Sequence, residues 1–515
     1  AEFERVAWEA EGAAGPEVAP TASAWEAGDI AAVLAGTPLA GDARAIDLLT
    51  DLRHGGLYQR MDEVGRQRLS AVMARTLEAL EGRADARKYL ERVLPVYRAV
   101  GRRSAYLALL NENPAALARL LTLVVGSSWL ARQMAEQPLL LDELLDNRVF
   151  DTPPTRAELE SLLERTTHDA ASGDVEALLD AIRVFQRTAI FRIAIADRLG
   201  SLPLMKVSDR LTDTAELVLG LALRTAEREL VAKYGVPRCG PPLREAGFAV
   251  IGYGKLAGLE LGYGSDLDLV FLHDSSGPQQ ETDGNPPVDN ERFFGRLVQR
   301  LIHFLTIQTS SGRLYEVDTR LRPSGKSGLL VTSLDGFRHY QATEAWVWEH
   351  QALLRSRALA GSATVCEGFE RIRREVLVAH VDRTKLKVEV AKMRRRMRSE
   401  LTLAKPGFFD VKQDAGGIAD IEFLVDYWVL AHSAQYPELV VFPDNIRQLE
   451  ALERVGLVGA ERCAAIKAAY LALRQRVHEL ALDEAGRVVG ADEFVAVRAL
   501  VSGVWREVFA DVEGD

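Results

Sequence analysis

From Asp47 to Tyr234 apolar residues recur three and four positions apart, the period of helices that bury one face. Within "NENPAALARLLTLVVGSSWLARQMAEQPLLLDELLD", Asn113-Pro114 and Gln137-Pro138 read as helix starts. "LPLMKVSDRLTDTAELVLGLALRTAERELVAKYG" ends at Gly235, a C-cap position, with Pro237 just beyond. The texture then changes. Phe248–Ile251 is a short apolar run closed by glycines, as a buried strand is, and Leu267–Leu272 is a second. A helix is predicted over Glu291–Gln308 and a third strand over Leu314–Leu321, ended by Pro323. After Ser333 the helical period returns to the end, interrupted by "KPGFFDVKQDAGG". The pattern predicts a mostly α fold with one α/β domain. Residues 1–45, rich in Ala, Gly and Pro, form a linker or tail; 46–240 form an N-terminal helical domain; 241–335 form the α/β domain; 336–515 form a C-terminal helical domain.

The chemistry is concentrated where the strands are. In "GSDLDLVF" a strand alternates its faces, so Asp266 and Asp268 point one way and Leu267 and Leu269 the other. Two like charges side by side call for something positive between them. By the same parity, Glu316, Asp318, Arg320 and Arg322 of "YEVDTRLR" share one face of the third strand. Three carboxylates, Asp266, Asp268 and Asp318, converging from two strands offer the hard oxygen ligands that a pair of Mg²⁺ ions requires. Crowding predicts that at least one of the three has a raised pKa when no cation is bound. Arg320 and Arg322 either clamp phosphate oxygens or only balance the acidic face.

The glycine-rich turn "GYGKLAG" (Gly252–Gly258) follows the first strand, where backbone N–H groups can face an anion. It is neither a Walker A loop nor a G-x-G-x-x-G dinucleotide fingerprint, since its glycines stand at 252, 254 and 258. Lys255 is equally a phosphate contact or a surface lysine at a helix start.

Composition narrows the classes. A 515-residue chain is long enough for about three domains, and 48% apolar with 27% charged residues is ordinary for a globular protein. The formal net charge of −11 argues against a nucleic-acid coat. Cys239, Cys366 and Cys463 are far apart, without the spacing of a zinc site or a disulfide framework. No apolar run is long enough to span a membrane and no signal peptide opens the chain, which predicts a cytoplasmic protein without a membrane partner.

A glycine turn, a gap of about ten residues, Asp-h-Asp-h and a third Asp on a later strand resemble the polymerase-beta-type nucleotidyltransferase superfamily. "GYGKLAGLELGYGSDLDLVFLHD", "TSSGRLYEVDTRLRPSGKSGLLVTS" and "EAWVWEHQALLRSRAL" are more specifically similar to the glutamine synthetase adenylyltransferases, bifunctional bacterial enzymes with two related nucleotidyltransferase domains. One domain attaches AMP to a tyrosine of glutamine synthetase and the other removes it by phosphorolysis. The resemblance extends from about Ala105 to Val504. After the proline, "RPSGKSGLLVTS" is similar to the attaching domain; the removing domain continues with Phe or Glu and then Gly-Pro. The chain therefore resembles the C-terminal, AMP-attaching half. Ala257 departs from the family's usual glycine, a change of one methyl group.

The resemblance implies transfer of AMP from ATP to a tyrosine hydroxyl of glutamine synthetase with release of pyrophosphate. It also implies Mg²⁺ or Mn²⁺ held by Asp266, Asp268 and Asp318, with Asp318 bridging the ions and available as proton acceptor. Gly252, Gly254, Lys255, Ser265, Arg320 and Arg322 would bind the nucleotide. Glutamine synthetase is the implied protein substrate, with a PII-type signal protein and glutamine as regulators. Two other readings stand beside it: phosphorolytic removal of AMP, and a regulatory scaffold that senses nucleotide without chemistry.

Other features read more plainly. Asp420 and Glu422 in "DAGGIADIEF" sit near a helix start, where acids favour the helix dipole; the alternative is a turn that closes over the nucleotide. The basic stretch Lys385–Glu400 is expected as a solvated helix face. The nine histidines show no ligand spacing, and Trp346 and Trp348 are expected to pack helices onto the sheet.

Overall fold

The computed structural model describes residues 20–172, 174–309 and 312–512. The tail expected at the N-terminus lies outside these up to residue 19, and from Pro20 onward the chain is already helical, at Pro20–Ala27 and Ile30–Leu34. The chain is mostly helical with one region of mixed sheet, and it divides into two units after Asn147. No helix among the described residues is long and apolar enough to cross a membrane.

The first unit is an array of short helices whose apolar faces meet inside, with Leu69, Val72, Leu90, Val93 and Leu120 all buried. Asp42 and Asp62 cap its helices by accepting backbone N–H groups, as short acids before a helix do. Asn113-Pro114 does open a helix, Pro114–Gly126, and Pro138 opens a 3₁₀ helix.

In the second unit the helix Leu204–Tyr234 ends at Gly235, which adopts φ 81°. The main sheet follows. Its strands are β1 (Phe248–Tyr253), β2 (Leu267–His273), β3 (Val317–Asp318), β4 (Thr332–Ser333) and β5 (Ser356–Gly361). The order is β3-β2-β1-β5, with β4 also pairing β2. β1 is antiparallel to β2 and β5, whereas β3 and β4 run parallel to β2.

Both faces of the sheet are covered, which explains why its two central strands read as continuous apolar runs. Phe248, Val250, Leu267, Leu269 and Phe271 pack with Phe293, Leu297 and Leu301 of the helix Asn290–Thr306 and with helices between 156 and 234. Ala249, Ile251, Val270 and Leu272 pack on the other side with residues of the C-terminal helices, Phe369, Val390, Ile421 and Leu424 among them. Asp268 shares the parity of Val270 and Leu272, so its face of the sheet is the one covered by the C-terminal helices.

The third strand is shorter than its apolar pattern predicted. Only Val317 and Asp318 pair, because the Asp318 carboxylate accepts the Arg320 backbone N–H at 2.8 Å and turns the chain. Arg320 and Arg322 therefore lie beyond the strand, and the parity argument does not extend to them. β5 was missed, since its sequence "SRALAG" sits between helices and carries no alternation. Trp346 does not pack against the sheet; the residue is 67% exposed.

Candidate active site

Register brings the acidic residues together: Asp268 pairs with Asp318 across the parallel β2–β3 ladder, and Asp266 stands two residues earlier. Carboxylate oxygens of Asp266, Asp268 and Asp318 all lie within 4.8 Å of one another. Burial, reinforced by the charges of Asp266 and Asp318, pushes the Asp268 carboxyl up to about 7, against a pull from Lys412 and Lys255. Asp318 goes the other way. The Arg320 guanidinium, whose Nε donates to it at 2.7 Å, holds its carboxyl below the usual range against the effect of burial. Three carboxylates this close, one of them costly to ionise, fit a divalent cation with oxygen ligands.

Gly254 makes the approach possible. It adopts φ 56°, and a Cβ there would stand 2.9 Å from Asp268 Oδ2. A side chain on Gly252 would meet Leu359 at 2.7 Å. The turn is closed by a hydrogen bond from the Gly254 amide to the Arg355 carbonyl at 2.9 Å, followed by a single helical turn, Gly254–Ala257. Ser265 lies in a tight turn before β2, its Oγ accepting the Gly262 amide at 3.1 Å.

The two arginines part company. Arg320 is mostly exposed and held beside Asp318. Arg322 spends its guanidinium on its own loop, donating to Thr319 O at 2.7 Å, Lys326 O at 3.1 Å and Gly328 O at 3.2 Å. It braces the segment after β3 and is not turned to the carboxylates.

Lys255, Ser265 and the C-terminal helices enclose a cavity of about 160 Å³, also lined by Glu260, Lys412, Glu422, Arg474 and His478. Burial, with the neighbouring Lys412 charge, brings the Lys255 ammonium down to about 8. Glu260, 2% exposed, joins this wall to the sheet: its carboxylate accepts from Arg355, from Tyr470 Oη at 2.9 Å and from Asn445 Nδ2 at 3.3 Å. Of the cavity residues from the C-terminal region, only Glu422 lies in a stretch whose sequence offers a functional reading, a turn that closes over the nucleotide; Lys412, Arg474 and His478 carry no such local signal.

That interruption is a bracket. Buried Asp410 accepts the amides of Lys412 and Gln413, each at 3.0 Å, and the Arg487 Nε. Asp420 is no simple helix cap. It accepts the Gly416 amide at 2.7 Å and pairs with Arg394 and Arg398. Arg394, 0% exposed, shows that the basic helix Arg383–Leu401 is not solvated all round.

Residues 117–372 match the glutamate-ammonia ligase adenylyltransferase family model, and residues 383–487 match that of GlnD PII-uridylyltransferase. Among curated proteins, the chain is 48% identical over 511 residues to the bifunctional glutamine synthetase adenylyltransferase/adenylyl-removing enzyme of Thioalkalivibrio sulfidiphilus, covering 98% of this chain and 52% of that protein. The protein of the same name from Pseudomonas aeruginosa is 47% identical over 473 residues, 89% of this chain and 48% of the relative. That of Nitrosococcus oceani is 42% identical over 496 residues, 95% and 51%. The chain spans about half the length of these relatives. With such identity along nearly its whole length and a family model matched across the acidic strands, this chain belongs to the glutamine synthetase adenylyltransferase family.

Proposed function

We infer that this chain is the AMP-attaching half of such an enzyme and transfers AMP from ATP to a tyrosine of glutamine synthetase. The observation that carries the reading is the Asp266–Asp268–Asp318 cluster beside the Gly254 turn, in a chain of this family. The fold around it fits the polymerase-beta-type resemblance. The phenol oxygen forms a bond to the α-phosphorus of ATP, the bond from that phosphorus to the bridging oxygen breaks, and pyrophosphate leaves with the electron pair. A proton is released from the phenol, whose pKa near 10 makes it a weak nucleophile at neutral pH.

Asp266, Asp268 and Asp318 would hold Mg²⁺ or Mn²⁺. Bound there, divalent cations supply Lewis-acid charge to the phosphates and the attacking oxygen in a two-metal arrangement. Asp318, kept ionised by Arg320, suits a ligand better than a proton acceptor. Lys255 and Ser265 face the cavity where the phosphates would lie, and Arg320 adds positive charge beside Asp318. The glycines at 252 and 254 keep the turn close. The match of residues 383–487 to a PII-uridylyltransferase model supports a link to PII-type signalling, with glutamine as a second regulator, and we place the reaction in the cytoplasm.

Incubation with α-labelled ATP and purified glutamine synthetase tests the direction. Label should pass to the synthetase, and AMP-modified synthetase with inorganic phosphate should yield no ADP. Release of ADP without label transfer would assign the removing reaction instead, and neither product would favour a non-catalytic sensor.

A further inference from the structure

The cavity behind Ser265 holds more positive charge than its own acids use. Of its two carboxylates, Glu260 is taken up by Arg355, Tyr470 and Asn445, and Glu422 lies 3.4 Å from Arg355 Nη1. Of its cations, Arg487 is spent on Asp410. Lys255 and Lys412 form no ion pair among the described residues, and both act electrostatically on Asp268. Arg474, 6% exposed, uses Nη2 on Ser208 Oγ at 2.8 Å and the Glu260 carbonyl at 3.0 Å, leaving Nη1 without a partner. Buried donors with nothing to bind are costly unless a ligand supplies the acceptor.

The backbone of Lys412 is fixed from both sides. Its amide donates to Asp410 Oδ1 at 3.0 Å, and its carbonyl accepts the Ala419 amide at 3.1 Å. Gly417 is held in the same bracket, where a Cβ would stand 2.7 Å from the Val411 carbonyl. This rigid base fixes where the Lys412 side chain starts, at the lining of the cavity.

We propose that Lys412, with Arg474 beside it, binds the β- and γ-phosphates of the nucleoside triphosphate, so that the C-terminal helical region supplies the half of the triphosphate site that faces Lys255 and Ser265. This rests on the transferase reading above and goes beyond it by assigning the leaving-group subsite to a segment outside the sheet. The chemistry recognised is a polyanion of two phosphoryl groups. A nucleoside would leave the unpaired cations unmatched.

The test is equilibrium binding by calorimetry, with no protein substrate present, of MgATP, AMP and inorganic pyrophosphate to the whole chain and to Lys412→Ala and Lys412→Arg. Losing one charge-assisted contact is expected to weaken ATP and pyrophosphate about tenfold, with AMP changed less than about twofold. Lys412→Arg should recover most of the loss. Unchanged circular dichroism and unfolding midpoint would show that the bracket survives. Equal weakening of AMP and ATP would place the α-phosphate or the nucleoside there and overturn the proposal, as would no weakening at all. If the unaltered chain binds none of the three ligands, the transferase reading itself fails and takes the proposal with it.

Discussion

Gly254, in the turn that follows β1, comes so close to Asp268 of β2 that a methyl group on residue 254 would stand 2.9 Å from the Asp268 carboxylate. The glycine also holds φ 56°, a conformation that costs an L-residue about 1 kcal/mol. Gly254→Ala should therefore lower stability by about that amount and move the carboxylate off its position. A misplacement of this kind is expected to cut AMP transfer roughly tenfold or more. Full activity with an unchanged unfolding midpoint would show that the close approach has no role.

Glu260 and Arg355 link the sheet to the C-terminal helices through a buried ion pair. Burial opposes ionisation of Glu260, but the Arg355 and Arg474 guanidiniums hold its carboxyl below the usual range. Glu260→Gln keeps the shape and leaves Arg355 with only the more distant Glu422. A broken buried pair of this kind costs about 3 kcal/mol, which urea unfolding would read directly. A loss under about 0.5 kcal/mol would mean that Glu422 replaces Glu260 fully.

Much of the site was legible because it obeys local rules. The period-two alternation of β2 places Asp266 and Asp268 on one face, and Leu267 and Leu269, which alternate with them, are buried as that alternation requires. Asp318 was found through its strand, although that strand shrank to two residues because the Asp318 side chain captures the Arg320 amide. This side chain-to-backbone competition is invisible to an apolar pattern, and so is the bracing of the following loop by Arg322. Lys412, Arg474 and His478 reach the cavity from sequence positions about 150 to 215 residues away from Ser265, a juxtaposition that only tertiary packing creates. The fifth strand was hidden for the same reason: "SRALAG" is a strand because β1 offers it an edge.

Asp426 gives the fold a pH signature away from the carboxylate cluster. It is buried, and burial pushes its carboxyl up to about 8, with Arg355 opposing and the charges of Glu422 and Glu260 adding to the rise. An acid whose folded pKa exceeds its unfolded value binds its proton more tightly when folded. Its contribution is thus complete below about pH 4 and is lost progressively as pH rises to about 8. Asp426→Asn lacks this slope. The variant should match the parent near pH 4 and become steadily more stable than it up to pH 8, measured by urea unfolding across that range. Parallel stability curves would show that Asp426 is ionised throughout.

In the function proposed above, Asp266, Asp268 and Asp318 form the reactive centre for AMP transfer. Asp268 is the most informative to change, because it pairs with Asp318 in register and its carboxyl is the one its neighbours push up to about 7. The direct measurement is incorporation of label from α-labelled ATP into glutamine synthetase by Asp268→Asn beside the unaltered chain. The expected result is a loss of at least about a thousandfold, as for removal of a group essential to transition-state charge, with the unfolding midpoint of the metal-free variant no lower than the parent's. Near-parental incorporation by a folded Asp268→Asn variant would contradict it.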